Sequence, residues 1–191
     1  MTRVIITSSC AAVVNFAGNP IAVPKKVYTE EDWNPVTWEG ALAGPPNTAY
    51  QASKKFAEKS AWEFIEKEKP NFDLVTLTPP MIYGPLRHSI DSVEHLNESN
   101  GRIFNLFINT SKDAPLPPNG MHVYTDVRDI AHAHILAATV PEASNRRFVI
   151  CTGQIGSQEI SDMLRKEIPE LEETFVELAR QLLEIEKGEK S

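Results

Sequence analysis

Tyr50 and Lys54 are the residues of this chain whose types and spacing point most directly to chemistry. If the stretch around them is helical, the phenol and the ammonium project from one face, about one turn apart. A cation beside a phenol lowers the pKa of the phenol and makes it a better proton shuttle near neutral pH, which is what a carbonyl reductase needs. The alternative is a surface helix whose tyrosine packs its ring and whose lysine is solvated. With 4 Tyr in the chain, this spacing arises by chance about one time in four.

A strand and a helix must position this pair. Val4–Thr7 is a continuous, largely β-branched apolar run, typical of a strand buried on both faces, and it ends just before Ser8 and Ser9. From about 49 to 67 the apolar side chains recur at helical spacing, which puts the pair near the start of a helix. Between strand and helix, residues 15–48 are rich in Pro, Asn and Gly and predict a long loop.

The rest of the chain alternates between strand and helix patterns. Strands are predicted at 72–78 and 147–152, and helices at 103–108, 127–140, 157–168 and 170–187. Asp126 is a candidate cap for the helix that follows it, and Gly153–Gly156 is expected to form a turn. Wholly apolar strands that alternate with helices predict an α/β fold with a parallel sheet.

The composition excludes several classes of protein. A net charge of -7 and a pI near 5.3 argue against a nucleic-acid surface. Cys10 and Cys151 lack the spacing of a zinc site or a disulfide framework. His132 and His134 would face different sides of a helix, so no metal site is predicted. No apolar run reaches bilayer length and the N-terminal run is too short for a signal peptide, which leaves the cytoplasm as the expected compartment.

Five segments, in order along the chain, resemble the extended short-chain dehydrogenase/reductase family, which is the NAD-dependent epimerase/dehydratase superfamily. The segments are 4–13 (VIITSSCAAV), 28–35 (YTEEDWNP), 49–58 (AYQASKKFAE), 77–85 (LTPPMIYGP) and 123–134 (VYTDVRDIAHAH). The resemblance is closest to ketone and aldehyde reductases of the methylglyoxal reductase and dihydroflavonol reductase types. It implies the C-terminal part of a doubly wound, Rossmann-like parallel sheet with helices on both faces, plus remnants of a small substrate-side subdomain. Residues 1–191 would form a single, partial NAD(P)-binding domain.

The resemblance also implies roles for five residues. Ser9 would hydrogen-bond the substrate carbonyl oxygen, Tyr50 would donate the proton to that oxygen, and Lys54 would hold the nicotinamide ribose hydroxyls. Tyr50 and Lys54 would thereby also contact the cofactor, which is NADP or, as the second choice, NAD. Ile82 would meet the nicotinamide carboxamide through its backbone N–H, and Ser99 would lie near the cofactor's phosphates. Because hydride addition builds negative charge on one oxygen, two preorganised donors there stabilise the transition state.

For three positions the sequence also allows a purely structural role. Ser8 is the less suitable serine, because the family pattern uses the second one, and its hydroxyl can satisfy the strand end instead. Ile82 can simply pack as a loop residue. Ser99 can cap a helix over 100–110, whose N-terminus would also suit a phosphate.

The sequence departs from the family in two places. The family begins with strand–Gly-x-x-Gly-x-x-Gly–helix, whose amides cradle the dinucleotide pyrophosphate, but none of the 9 Gly forms that array. The chain starts at what would be the family's fifth strand. Near residue 170 a segment that resembles the family's final helix follows too early, which predicts an internal deletion. We therefore expect a truncated gene model, a splice form or a fragment.

Three functions remain open from the sequence. The first is NAD(P)H-dependent reduction of a small ketone or aldehyde to an alcohol, with Tyr50 as proton donor, a small carbonyl compound as partner and no nucleic acid or membrane. The second is a catalytically inactive fragment or binding remnant. The third is a nucleotide-sugar epimerase or dehydratase, or a 3β-hydroxysteroid-type dehydrogenase. Those relatives carry Val-Tyr-Gly after the serine pair, whereas this chain has 10–14 (CAAVV), and together with Trp33-Asn34-Pro35 this favours a reductase.

Overall fold

Short strands and helices alternate along the chain. The computed structural model describes residues 2–16, 26–108, 114–119, 123–166 and 173–189. The strands are β1 Arg3–Thr7, β2 Asp73–Thr78, β3 Met81–Tyr83, β4 Val123–Asp126, β5 Arg146–Val149 and β6 Gly153–Gln154. The α-helices are α1 Trp38–Ala43, α2 Pro46–Glu68, α3 Glu98–Ile103, α4 Val127–Thr139, α5 Ser157–Lys166 and α6 Glu173–Glu189.

The chain divides into two compact units. The parallel-sheet unit consists of Met1–Pro80 and Ala131–Ile150, and the mixed-sheet unit consists of Met81–Ile130 and Cys151–Ser191. Helix α4 therefore begins in the second unit and ends in the first. That 1–191 forms one partial domain stays a prediction.

In the parallel-sheet unit the strands lie in the order β1-β2-β5, and both pairs are parallel. Ile5 is the register partner of Val75 in the first pair, and Leu77 is the partner of Phe148 in the second. Strand β2 is buried over all but its first residue, as expected of a central strand covered on both faces. The predicted α/β fold with a parallel sheet is confirmed.

Helices α2 and α4 cover opposite faces of this sheet. Thr76 and Leu77 are neighbours on β2, so their side chains point to opposite faces. Thr76 Oγ1 donates to a carboxylate oxygen of Glu58 on α2 at 2.7 Å, whereas Leu77 lines a cavity together with Ala133 and Ala137 of α4. The doubly wound arrangement with helices on both faces is therefore confirmed.

Helix α2 carries Tyr50 and Lys54 and begins a few residues before its predicted start at about 49. Pro46 occupies the first helical position, where the N–H that proline lacks would have no intrahelical partner. The helix ends at Glu68, because Lys69 adopts a left-handed backbone with a φ of 44°.

The loop predicted over 15–48 contains a helix, so that prediction was wrong for its C-terminal part. Helix α1 starts after Thr37, whose hydroxyl accepts a hydrogen bond from the Gly40 N–H at 3.0 Å. Trp38 packs on Phe56 of α2, with ring centroids 5.7 Å apart. Because this stabilising contact is with another helix, it cannot be recognised from the Pro- and Gly-rich sequence of the segment.

The mixed-sheet unit is built on an aromatic and aliphatic core. Strands β3 and β4 pair in parallel, and β4 and β6 pair antiparallel. The Phe175 ring lies 5.0 Å from the ring of Tyr83 and 5.4 Å from that of Tyr124. Buried aliphatic side chains from α3, α5 and α6 complete the cluster. Gly84 follows β3 with a φ of 138°, where a side chain would clash with Val127.

Three local predictions are corrected in this unit and one is confirmed. Ile82 lies in β3 rather than in a loop, and the predicted turn at Gly153–Gly156 begins with β6. Ser99 does not cap its helix, because α3 starts after Asn97. Asp126 does cap α4, since its Oδ1 accepts from the Arg128 N–H at 2.7 Å. The suspected deletion near 170 lies outside the described residues.

Candidate active site

Ser9 lies just beyond the carboxyl end of β1 and caps a single 3-10 turn, Cys10–Ala12. Its Oγ accepts a hydrogen bond from the Ala11 N–H at 3.1 Å. A serine hydroxyl that accepts such a bond can still donate its own hydrogen. The cap therefore orients the Ser9 oxygen and leaves its donor capacity available for a ligand.

Ser8, one residue earlier, is used differently. It is buried, and its hydroxyl donates to Glu58 Oε2 on α2 at 2.7 Å. Because the single hydroxyl hydrogen is engaged in that bond, Ser8 has none left for a substrate. This observation supports Ser9 as the functional serine and gives Ser8 the structural use that the sequence suggested, with a helix as its partner.

Tyr50 and Lys54 project from the same face of α2. The Lys54 Nζ atom lies 5.9 Å from the centroid of the Tyr50 ring, within the range of a cation–π contact. The Tyr50 side chain is 53% exposed, and Lys54 is half-buried. The Tyr50 ring is therefore open to a ligand, and its role in the chemistry stays a prediction.

The three predicted catalytic residues lie in the parallel-sheet unit, on elements in direct contact. Helix α2 packs against the turn that follows Ser9. The side chain of Asn34 joins the two elements, because its Nδ2 donates both to the backbone carbonyl of Ala11 and to Gln51 of α2, at 3.0 Å each. The fold thus places the serine and the tyrosine–lysine pair on neighbouring elements.

Glu58 is an important residue of this region that the sequence analysis missed. It is 1% exposed, and its carboxylate accepts hydrogen bonds of 2.7 Å from each of Arg147, Ser8 and Thr76. Burial alone would raise the pKa of Glu58, but these three hydrogen bonds together outweigh burial and hold the pKa below its ordinary value. The buried carboxylate is therefore ionised, and it links α2 to β2, to β5 and to Ser8 just after β1.

Arg147 extends the same network to the loop before α1. Its Nη1 donates to the backbone carbonyls of Glu30 at 2.8 Å and Asp32 at 2.6 Å. Its guanidinium lies over the Trp33 ring, 3.8 Å from the centroid, and Lys59 lies 5.1 Å from the same ring. Together with the bonds to Glu58, these contacts give the buried guanidinium several acceptors, which is the condition for a stable buried charge.

The other two predicted cofactor contacts, Ile82 and Ser99, belong to the mixed-sheet unit. Ile82 of β3 pairs with Thr125 of β4. Ser99 is buried, and its Oγ accepts a hydrogen bond from Asn97 Nδ2 at 3.0 Å. Their roles toward a cofactor stay predictions. Within the described ranges, His, Cys, Asp and Glu side chains form no group of three that could hold a metal ion, and no helix there is long and apolar enough to cross a membrane.

The donor set of the parallel-sheet unit fits the nicotinamide end of a dinucleotide cofactor. Lys54 offers three N–H donors that suit ribose hydroxyls, and Ser9 and Tyr50 offer hydroxyls that suit a carbonyl oxygen. The 191 residues contain no Gly-x-x-Gly-x-x-Gly array for the pyrophosphate. The fit therefore concerns the reacting end of the cofactor only.

Comparison with known proteins identifies similar sequences. The family model described as the NAD dependent epimerase/dehydratase family matches residues 27–151. The putative NADPH-dependent methylglyoxal reductase GRP2 of Candida albicans is 42% identical over 170 residues, which are 89% of this chain and 48% of that protein. The NADPH-dependent methylglyoxal reductase GRE2 of Saccharomyces cerevisiae is 36% identical over 171 residues, which are 88% of this chain and 48% of that protein.

A solved structure is also similar. The crystal structure of yeast methylglyoxal/isovaleraldehyde reductase Gre2 complexed with NADPH superposes with a TM-score of 0.87 at 30% identity, and the match covers 97% of this chain and 65% of that one. The fold is therefore that of a Rossmann-like α/β protein. The chain spans about half the length of the curated relatives it matches.

Proposed function

The chain belongs to the NAD dependent epimerase/dehydratase family, and on that premise we propose that the protein reduces a small ketone or aldehyde to the alcohol with NADPH. The observation that carries the proposal is the Tyr50–Lys54 pair on α2, packed beside the turn that begins at Ser9. The relatives named as NADPH-dependent methylglyoxal reductases support both the cofactor and the class of substrate.

In the proposed reaction each residue of the trio has one task. NADPH, when bound, would supply the hydride for the carbonyl carbon. The Ser9 hydroxyl donates a hydrogen bond to the carbonyl oxygen and stabilises the negative charge that develops there. Tyr50 transfers its phenolic proton to the same oxygen, which completes the alcohol. The Lys54 ammonium stabilises the phenolate that remains and donates to the ribose hydroxyls.

The exposure of Tyr50 suits the step that must follow. After one turnover the phenolate has to recover a proton before it can act again. Because about half of the side chain is accessible, at 53% exposed, water can return that proton directly. A fully buried tyrosine would need a relay of other groups.

The decisive variant is Tyr50→Phe, which removes the proton donor and keeps the ring. We expect kcat/KM for methylglyoxal, followed by NADPH absorbance, to fall about 10²–10⁴-fold, the usual contribution of a general acid. Tyr28→Phe is the matched control, because Tyr28 is not part of the proposed trio and its oxygen accepts a hydrogen bond from the Asn15 N–H at 3.2 Å. Equal turnover in the wild type and in Tyr50→Phe would refute the role of Tyr50.

A fluorescence titration of the chain with NADPH complements the kinetic assay. Saturable binding is expected if Lys54 and its neighbours hold the nicotinamide ribose. Lys54→Met keeps much of the length of the side chain and removes its charge and donors, so we expect it to weaken binding. If the wild-type chain neither binds NADPH nor turns over a carbonyl compound, the proposal fails for this polypeptide.

A further inference from the structure

Asn34 is a buried polar residue whose contacts concentrate on the segment after Ser9. Its side chain is 2% exposed. Its Nδ2 donates to the backbone carbonyls of Ala11 at 3.0 Å and Val14 at 2.7 Å, and its backbone N–H donates to the carbonyl of Ala12 at 2.9 Å. One residue therefore binds three carbonyl groups within five residues of Ser9.

The partners fix the orientation of the Asn34 amide. Backbone carbonyls only accept hydrogen bonds, so the NH₂ group must face Ala11 and Val14. The Oδ1 atom then accepts from the Val36 N–H at 2.9 Å. A flipped amide would set its oxygen against two acceptors and its NH₂ against a donor, which excludes the alternative.

A further contact of the same amide reaches helix α2. Nδ2 also lies 3.0 Å from Oε1 of Gln51, and because its two hydrogens face three acceptors, one hydrogen is shared between two of them. Gln51 is adjacent to Tyr50 in the sequence and lies one turn or less from Lys54 on the helix. The amide of Asn34 thus connects the backbone after the serine to the helical turn that carries the tyrosine.

We infer that Asn34 is a positioning residue that sets the separation between the Ser9 hydroxyl and the Tyr50 phenol. The inference rests on the proposed function, because it concerns two donors that must reach one substrate oxygen. Such geometry is demanding: a displacement of about 1 Å far from the chemistry can lower the rate about 10²-fold. Asn34 itself contacts neither donor, so it acts only through the elements that it joins.

The variant that tests the inference is Asn34→Ala, compared with Asn145→Ala in the same unit. Asn145 also satisfies a backbone group with its side chain, because its Oδ1 accepts from the Leu74 N–H at 3.1 Å. Leu74 lies near the amino end of β2, whereas Ser9 follows the carboxyl end of the neighbouring parallel strand. The control removes one side-chain hydrogen bond and places alanine at a left-handed backbone position with a φ of 52°, so it destabilises the same unit at the opposite end of the sheet.

We expect Asn34→Ala to lower kcat for methylglyoxal at least tenfold and to change KM less than threefold, and Asn145→Ala to change kcat less than twofold. Gln51→Met is the milder variant, which removes only the acceptor on α2, and it should lower kcat severalfold without changing the melting temperature by more than a few degrees. It keeps the inference testable if Asn34→Ala does not fold.

Hydrogen exchange provides a readout that does not depend on turnover. In Asn34→Ala the amides of residues 11–14 and of Val36 should exchange faster by a factor at least tenfold larger than that of the central strand β2, whose amides report the global loss of stability. In Asn145→Ala the amides of 11–14 should be unchanged. A merely structural role would accelerate both regions together through global opening.

Two results would overturn the inference. One is an unchanged exchange rate at 11–14 in folded Asn34→Ala, and the other is a loss of kcat that the Asn145→Ala control reproduces. Failure of the proposed function gives a different result. The wild type itself then shows no turnover, while hydrogen exchange still measures whether Asn34 holds residues 11–14 in place. If Tyr50→Phe is inactive and Asn34→Ala keeps full activity, the inference fails and the proposed function stands.

Discussion

The parallel-sheet unit adds a buried ion pair to its apolar core, whereas the described core of the mixed-sheet unit is mainly aromatic and aliphatic. In the first, the ion pair between Glu58 and Arg147 lies between α2 and the sheet, with side chains that are 1% and 8% exposed. In the second, the rings of Tyr83, Tyr124 and Phe175 pack with aliphatic side chains. The first unit relies on directional bonds between charged and polar groups in addition to apolar contact, and the second relies mainly on apolar contact.

The difference teaches where precision is needed in this protein. An apolar cluster tolerates small shifts, because its attraction varies little with orientation. A buried carboxylate with three hydrogen-bond donors tolerates few, because each misdirected bond leaves a polar group without a partner. The directional core lies in the unit that carries Ser9, Tyr50 and Lys54, which are the residues whose relative positions the proposed reaction requires.

Removing one member of the buried ion pair should have the largest effect. Arg147→Met leaves the Glu58 carboxylate buried without its charged partner, for which we expect a loss of about 3–5 kcal/mol in the free energy of unfolding. Urea denaturation followed by circular dichroism measures it.

The double variant Glu58→Leu with Arg147→Met is the control for that experiment. Well-packed apolar residues in place of a buried ion pair are often neutral or stabilising, so the double variant should recover most of the lost stability. An Arg147→Met variant as stable as the wild type would show that the pair is not a constraint, and the contrast between the two cores would then disappear.

Shortening a side chain in the apolar core of the mixed-sheet unit should have the next largest effect on the free energy of unfolding. Leu178 is fully buried in the mixed-sheet cluster, and Leu178→Ala should lower the free energy of unfolding by about 2–5 kcal/mol through lost transfer energy and a residual cavity. The sharper test is Leu178→Met, which nearly conserves volume and should change stability by less than about 1.5 kcal/mol.

In the parallel-sheet unit the conservative change to compare with Leu178→Met is Glu58→Gln, which also conserves the shape of the side chain. It should be clearly more damaging than Leu178→Met, because the amide NH₂ of glutamine has to face hydrogen-bond donors such as Arg147. Equal tolerance of the two conservative changes, measured by urea denaturation at neutral pH, would contradict the comparison.

The sequence predicted the elements whose pattern is local and missed the contacts that are not. The helix that carries Tyr50 and Lys54 was predicted because its apolar positions repeat within one segment. The sequence around Glu58 gives no sign that its side chain is buried, because acidic side chains are rarely buried and its partner Arg147 is 89 residues away. Strand β3 has only three residues, Met81–Tyr83, too few to show a period, and its pairing with β4 is decided by tertiary structure.

The smallest expected effect is the change in stability at low pH that follows from protonation of Glu58. Because the folded protein holds the pKa of Glu58 below its ordinary value of 4.5, the unfolded chain takes up a proton at higher pH than the folded one. The stability that Glu58 contributes is therefore fully present above that ordinary value and is lost as the pH falls through the pKa of the folded state. Urea midpoints of the wild type and of Glu58→Gln, measured from pH 6 to pH 3, should converge, because a protonated carboxyl and an amide leave Arg147 equally without an anion. A gap that stays constant over this range would mean that the charge of Glu58 does not stabilise the unit, and that the hydrogen bonds of its oxygens act without it.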